Sequence, residues 1–258
     1  MAPQHQELFK ARVRRNFDRA AATYDAAAKV QRWVCARLVS GLPASLMPAV
    51  ILDAGCGTGF GMEILARRFP AARRIALDIS HTMLSRVEHL EFGIVGDAER
   101  LPLKSGIAGL YWSNLTAQWC DPDLLAKEAL RVLWPGGSIA LSSLSPGTFH
   151  ELEESFAEVD SHRHILALPS SDVLQQALAL AGFCDIRLRV EPCVAHYRDL
   201  KSLLRAIKSI GANLISGERR QGLMGRGAWQ KLEKSYESRR TPRGLPLTYQ
   251  VILCYARK

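Results

Sequence analysis

A short apolar run, Ala49-Val50-Ile51-Leu52-Asp53-Ala54, breaks into Gly55-Cys56-Gly57-Thr58-Gly59. An apolar run of this length bounded by turn residues reads as a strand buried on both faces. Glycines at alternate positions let the backbone pass a ligand where a Cβ would clash. A strand that ends in such a loop and opens a helix constrains the chain to an α/β sheet. The following residues keep that rhythm. A helix is expected over about 59–69, stopped by Pro70, then strands at Ile75–Ile79 and Phe92–Val95, separated by a helix capped by Ser80. A fourth strand is expected at 107–112, a helix over Asp121–Leu133 with Pro122 in its first turn, and a fifth strand at Ser138–Ser142 after Pro135-Gly136-Gly137. Strands alternating with helices in this way predict a doubly wound parallel sheet.

Helices are expected over 149–159 and Ser171–Ala181, the latter ended by Gly182, with a sixth strand at Cys184–Val190 and a seventh at 247–255. Residues 8–40 read as helical, and 1–40 as a helical cap preceding the main domain, 41–258. Between strands six and seven, 197–245 form a largely helical, basic insertion far longer than a hairpin needs, which points to a function.

Charge is unevenly spread. Residues 1–40 hold eight Lys/Arg against three Asp/Glu, and 201–258 hold thirteen against three, while the net charge is +9. Basic ends flanking a mildly acidic middle point to a polyanionic partner. The six cysteines form no C-x-x-C pair, so zinc and redox spacings are absent, and scattered free thiols suit a reducing cytoplasm. No apolar stretch is long enough to span a membrane, and the N-terminal residues lack the apolar segment of a secretory signal.

The glycine loop is not a dinucleotide fingerprint. Counting G-x-G-x-x-G from Gly55 places Phe60 at the third glycine, and counting from Gly57 places Met62 there. The loop suits a ligand without a pyrophosphate, such as S-adenosylmethionine (SAM). Asp78, at the end of the second strand, can accept both ribose hydroxyls, and Asp97-Ala98 lies where the adenine edge belongs. Asp53, Gly55, Gly57 and Gly59 complete the expected donor site.

Residues 50–145, through DAGCGTG, ALDIS, GDAERLPL and RVLWPGG, resemble the class I SAM-dependent methyltransferases. The resemblance implies a Rossmann-like seven-stranded sheet with the last strand antiparallel. A narrower resemblance rests on the flanks: Phe17, Ala20-Ala21, Tyr24-Asp25, Ala28 and Gln31; Ser113-Asn114-Leu115 with Gln118-Trp119; Gly147-Thr148 with Glu151-Leu152; Ile210-Gly211, Gly225-Arg226 and Pro246-Leu247-Thr248-Tyr249. These resemble the malonyl-acyl-carrier-protein O-methyltransferases, which start pimelate synthesis for biotin. One segment departs: where that family has Arg-Pro-His, then Asn and an aromatic, this chain has His162-Arg163-His164-Ile165-Leu166-Ala167-Leu168.

The resemblance implies methylation of a malonyl carboxylate. Such a group is ionised at neutral pH, so no general base and no metal are needed, only orientation and removal of water. Tyr24, Asn114, Gln118 and His164 are the candidates for orienting the carboxylate, and Gln31 and Asn114 for holding the methionine end of the donor. An acidic acyl carrier protein would meet the basic insertion, through Lys201, Arg205, Lys208, Arg219, Arg220, Arg226, Arg239, Arg240 and Arg243. Two alternatives stay open on sequence alone, an RNA methyltransferase and a small-molecule enzyme of the quinone-precursor type. The first lacks a Pro-Pro-aromatic motif after Asn114, and the second leaves the basic insertion without a purpose.

Overall fold

A computed structural model describes residues 3–162, 164–211 and 225–258. Seven strands form one sheet: β1 (Val50–Ala54), β2 (Arg73–Asp78), β3 (Phe92–Val95), β4 (Ala108–Ser113), β5 (Leu133–Leu144), β6 (Cys184–Tyr197) and β7 (Leu245–Arg257). Their spatial order is β3-β2-β1-β4-β5-β7-β6. The pairs from β3 across to β5 are parallel, and β7 runs antiparallel to both its neighbours. This is the class I methyltransferase fold. The strand order reverses between β1 and β4, so their carboxyl ends leave a crevice in which ligands of such sheets bind.

The residues of β7 show how the sheet is held. Val251, Leu253 and Tyr255 face one apolar cluster, and Ile252, Cys254 and Ala256 face the other, the period of two that a strand buried on both sides requires. The first cluster takes in α3 (Lys29–Ser40) and α4 (Phe60–Arg68), together with α7 (His150–Ala157), α9 (Leu200–Ser209) and α10 (Arg226–Glu237). The second takes α6 (Pro122–Val132) and α8 (Ser171–Ala181). Helix ends follow the sequence. Ser80 caps α5 (His81–Leu84) by accepting from Met83 N, Asp121 caps α6 by accepting from Asp123 N and Leu124 N, and Gly182 closes α8 in a left-handed conformation.

Several elements differ from expectation. The single N-terminal helix is three: α1 (Pro3–Ala20), α2 (Tyr24–Ala27) and α3. The chain turns at 21–23, where Ala20 and Ala21 bury against Met83 and Thr23 Oγ1 donates to Ala20 O. Pro135-Gly136-Gly137 lies inside β5 instead of before it, because Gly136 N donates to Lys258 O and Gly137 O accepts from Lys258 N, which extends the pairing with the end of β7. β6 runs beyond Val190 to Tyr197 because residues of the insertion's near end pair with Leu245–Val251. The insertion helices are part of the fold's core: Leu203, Leu232 and Tyr236 are fully buried, and Tyr236 Oη donates to Pro246 O at 2.7 Å. No helix among the described residues is long and apolar enough to cross a membrane.

Candidate active site

The loop between β1 and α4 sits on the end of β2. Gly55 N and Cys56 N both donate to Leu77 O, at 2.7 and 3.0 Å. Gly55 adopts φ +81°, and a Cβ there would stand 2.1 Å from Thr116 Oγ1, so the close approach of this loop to the end of β4 admits glycine alone. Gly57 N donates to Asp78 Oδ2, and Ser80 N donates to Asp78 Oδ1, both at 2.8 Å. Each oxygen keeps a lone pair for a ligand. Burial raises the Asp78 pKa, the bonds from Ser80 and Gly57 oppose that rise, and the charge of Asp18 adds to it. Gly59 is the N-cap of α4, where a Cβ would stand 2.8 Å from Val87 Cγ1, and it is not among the residues lining the cleft.

Gly55, Gly57, Asp78, Asp97, Ala98 and Asn114 line one cleft, joined by Lys10, Val13 and Phe17 of α1 and by Tyr24 of α2. Lys10, Val13 and Phe17 were not foreseen as site residues; only the 3- and 4-residue spacing of their positions hinted at a shared helix face. Lys10 Nζ is 3.0 Å from Asp97 Oδ1 and 2.6 Å from Glu99 Oε1. The Lys10 neighbour Cys120, also on the cleft wall, has its thiol pushed up to about 12 by burial, against the pull of the Lys10 charge.

A side pocket adjoins the cleft, between Gln31, Asp53, Tyr24 and the glycine loop. Gln31 Oε1 and Asp53 Oδ2 are buried acceptors with no hydrogen-bond partner among the described residues. Burial, then the charge of Asp78, pushes the Asp53 carboxyl up to about 8. Two orphaned acceptors on residues that line one pocket suit a cationic donor such as an α-ammonium group. Asn114 touches the same pocket, but both ends of its amide are engaged: Nδ2 donates to Gln31 O at 3.1 Å and Oδ1 accepts from Ser142 Oγ at 2.9 Å. It fastens α3 to the ends of β4 and β5.

Phe17, Tyr24, Leu115 and Trp119 border both the cleft and a second cavity of about 220 Å³. This chamber is apolar, walled by Phe149, Leu152 and Phe156, by Ile165, Leu166 and Leu168, and by Leu204, Ile207 and Ile210, with Tyr249 from β7. Leu166 and Leu168, the positions that depart from the resemblance, are thus wall residues that make the chamber more apolar. Gln118 lines it, with Nε2 donating to Leu115 O at 2.6 Å and Oε1 buried without a partner among the described residues. His164 also lines it, but its Nε2 is 2.7 Å from Asp160 Oδ1 and its ring stacks on Phe156, centroids 3.7 Å apart. Tyr24, placed where the three cavities meet, keeps its hydroxyl protonated, because burial and then the charges of Asp78 and Asp25 raise its pKa.

The basic candidates separate into two kinds. Lys201, Arg205 and Lys208 are exposed on α9, and Arg226 and Arg243 are exposed near the ends of the α10 region. Arg239 is engaged with Glu154 at 2.9 Å, and Arg240 pairs with Glu237 and donates to Arg198 O. Arg219 and Arg220 lie outside the described residues.

A family model described as a methyltransferase domain matches residues 52–141. The fold is similar to that of a SAM-dependent methyltransferase of Thermotoga maritima, with a TM-score of 0.58 and 19% identity over 95% of this chain and 99% of that one. The similarity of sequence reaches further than the sheet. A malonyl-[acyl-carrier protein] O-methyltransferase of Dechloromonas aromatica is 52% identical, with 96% of this chain and 95% of the relative aligned. Its counterpart in Herminiimonas arsenicoxydans is 40% identical over 98% and 97% of the two chains. Matches of that extent include α1, the chamber wall and the insertion as well as the glycine loop. The chain belongs to the malonyl-[acyl-carrier protein] O-methyltransferase family.

Proposed function

We propose that this chain transfers the methyl group of SAM to the free carboxylate of a malonyl thioester on acyl carrier protein, the step that opens pimelate synthesis for biotin. The observation that carries this reading is the wall shared by the polar cleft and the apolar chamber, made by Phe17, Tyr24, Leu115 and Trp119. Bound SAM supplies an electrophilic methyl on a sulfonium. Asp78 would hold its ribose, Asp97 and Ala98 its adenine, and Gln31 and Asp53 its ammonium group. The buried, partnerless oxygens of Gln31 and Asp53 are the features that fit it best.

The protein's own contribution is orientation and dryness. A carboxylate needs no base, and its attack on a sulfonium turns two opposite charges into a neutral ester and a neutral thioether. A low-dielectric wall that excludes water does little to stabilise the separated charges and so favours a reaction that merges them. Gln118 and the protonated Tyr24 hydroxyl are the groups able to orient the acyl end, and His164, whose Nε2 is held by Asp160, would act through Nδ1. Residues 1–40 serve as the cap over the donor, and the basic insertion, 197–245, receives the acidic carrier. Catalysis in the cytoplasm agrees with six cysteines that form no disulfide.

The test is transfer of labelled methyl from SAM to malonyl-carrier protein, beside acetyl- and succinyl-carrier protein. Label on the malonyl form, and none on the acetyl form, is the expected result. Equal labelling of RNA or of a quinone precursor would overturn it.

A further inference from the structure

We infer that the carrier docks on a face built jointly by the outer sides of α1 and α9, and not on the α10 end of the basic insertion. This rests on the proposed function for the identity of the partner. The placement itself rests on four observations.

First, the two basic ends of the sequence meet in space. Thr23 Oγ1, just after α1, donates to Ser209 O at the end of α9, and a Cβ on Gly211 would stand 3.0 Å from the Phe17 ring. Second, both elements wall the acceptor chamber from within, α1 through Phe17 and α9 through Leu204 and Ile207. Third, their outer sides carry cations. Lys201, Arg205 and Lys208, spaced four and three residues apart, are exposed on one side of α9, a helix with no acidic residue of its own. Arg15 and Arg19, four residues apart, are exposed on α1 on the side away from Val13 and Phe17. None of these five has an ion-pair partner among the described residues. Fourth, no α10 residue lines the chamber, and two of the cations at that end are already paired, Arg239 with Glu154 and Arg240 with Glu237.

Like charges gathered on adjoining helices repel, and no ion pair among the described residues neutralises them. An acidic protein surface would, while its prosthetic arm enters the chamber that the same helices enclose. Exposed charges at a rim act chiefly on encounter and orientation.

Three charge-reversed variants test this: Arg15→Glu with Arg19→Glu on α1, Arg205→Glu with Lys208→Glu on α9, and Lys231→Glu with Lys234→Glu on α10. The third changes net charge by the same amount on a surface outside the proposed face. Each is assayed on malonyl-carrier protein and on malonyl-pantetheine, at low and high salt, and carrier binding is followed separately by fluorescence anisotropy. The α1 and α9 variants should each lose about tenfold or more in kcat/KM on the carrier substrate at low salt, with the deficit shrinking as salt rises. Turnover of malonyl-pantetheine should stay within about twofold in all three, and the α10 variant should match wild type on both substrates. An α1 variant with wild-type carrier kinetics, or an α10 variant as impaired as the others, overturns the joint face. Equal loss on both substrates also overturns it, by showing a packing defect. If neither malonyl substrate is methylated by wild type, the proposed function fails by itself, and the anisotropy still decides the face. Tighter binding of a short RNA than of the carrier would assign the cations to nucleic acid and overturn the proposal.

Discussion

Lys10 Nζ on α1 stands 3.0 Å from Asp97 Oδ1 beyond β3, a contact that ties the N-terminal helix to the cleft it covers. The same Asp97 oxygen accepts from Glu99 N, so Oδ2 is left free of these bonds on a residue that lines the cleft. Burial disfavours the Lys10 charge, but Cys120, Asp97 and Glu99 together outweigh it and keep the pKa above that of an ordinary lysine. Lys10→Met should therefore weaken SAM binding about tenfold, by ~1–2 kcal/mol for a partly exposed charged pair, and lower Tm. Calorimetric titration with SAM checks it. Lower stability with unchanged affinity would make α1 a brace and remove it from the donor site.

Asp53 gives a pH signature. Its pKa is about 8 in the folded chain against 3.8 unfolded, so between those values the folded state keeps a proton that the unfolded state releases. Stability must then fall as pH rises from about 4 to about 8, and level off above. Asp53→Asn should be more stable than wild type near pH 8 and nearly equal to it near pH 4, which Tm against pH will show. SAM binding near pH 7 should also release a proton, as the ligand's ammonium draws Asp53 into its ionised form. Titration in two buffers of different ionisation enthalpy measures that directly, and no buffer dependence would detach Asp53 from the ammonium.

Asp78→Ala removes the acceptor of Gly57 N and Ser80 N as well as the proposed ribose contacts. Each charge-assisted bond contributes roughly 1.5–3 kcal/mol. A loss of SAM affinity of about a hundredfold is expected, with S-adenosylhomocysteine affected alike because both share the ribose. A folded variant with wild-type affinity would place the ribose elsewhere.

Filling the chamber should separate its role from that of the cleft. Leu204→Trp adds volume on the α9 wall without touching the lining of the donor cleft. KM should rise about tenfold or more for malonyl-carrier protein and malonyl-pantetheine alike, while SAM affinity stays within about twofold. Weakened SAM binding with an unchanged KM would mean that the acceptor uses another route.

The donor half of the site was legible because its residues lie close together in the chain. Asp53, Gly55 and Gly57 leave one strand, Asp78 ends the next, and Asp97 follows the third, so the parallel sheet alone brings them to one edge. The chamber was legible only in Tyr24, Gln118 and His164, named for their polar groups. Phe17, Phe156, Ile207 and Tyr249 come from four elements, and each reads singly as an ordinary packing residue. Leu200, Leu203, Leu204 and Ile207 share one side of α9, and periodicity cannot distinguish a face packed solid from one that encloses a hollow. Nor could the sequence separate Arg239, paired with Glu154 on α7 far away along the chain, from Arg205, which has no ion pair among the described residues. Gly59 was assigned to the ligand from its neighbours in the loop, yet its backbone is committed to starting α4 against Val87.

The position of β7 between β5 and β6 carries a consequence for the order of assembly. β6 leaves the ribosome well before β7, yet among the described strands its one neighbour is β7. During synthesis β1 to β5 can pair as they emerge, whereas β6, with Val190 and Val194 exposed even in the finished fold, must wait as a long unpaired edge. A nascent chain halted before Leu245 would thus lack two sheet strands instead of one, and Tyr249 would be missing from the chamber wall. Folding of the donor half can precede that of the acceptor half, so a stalled chain could hold SAM and have no enclosed place for its acceptor.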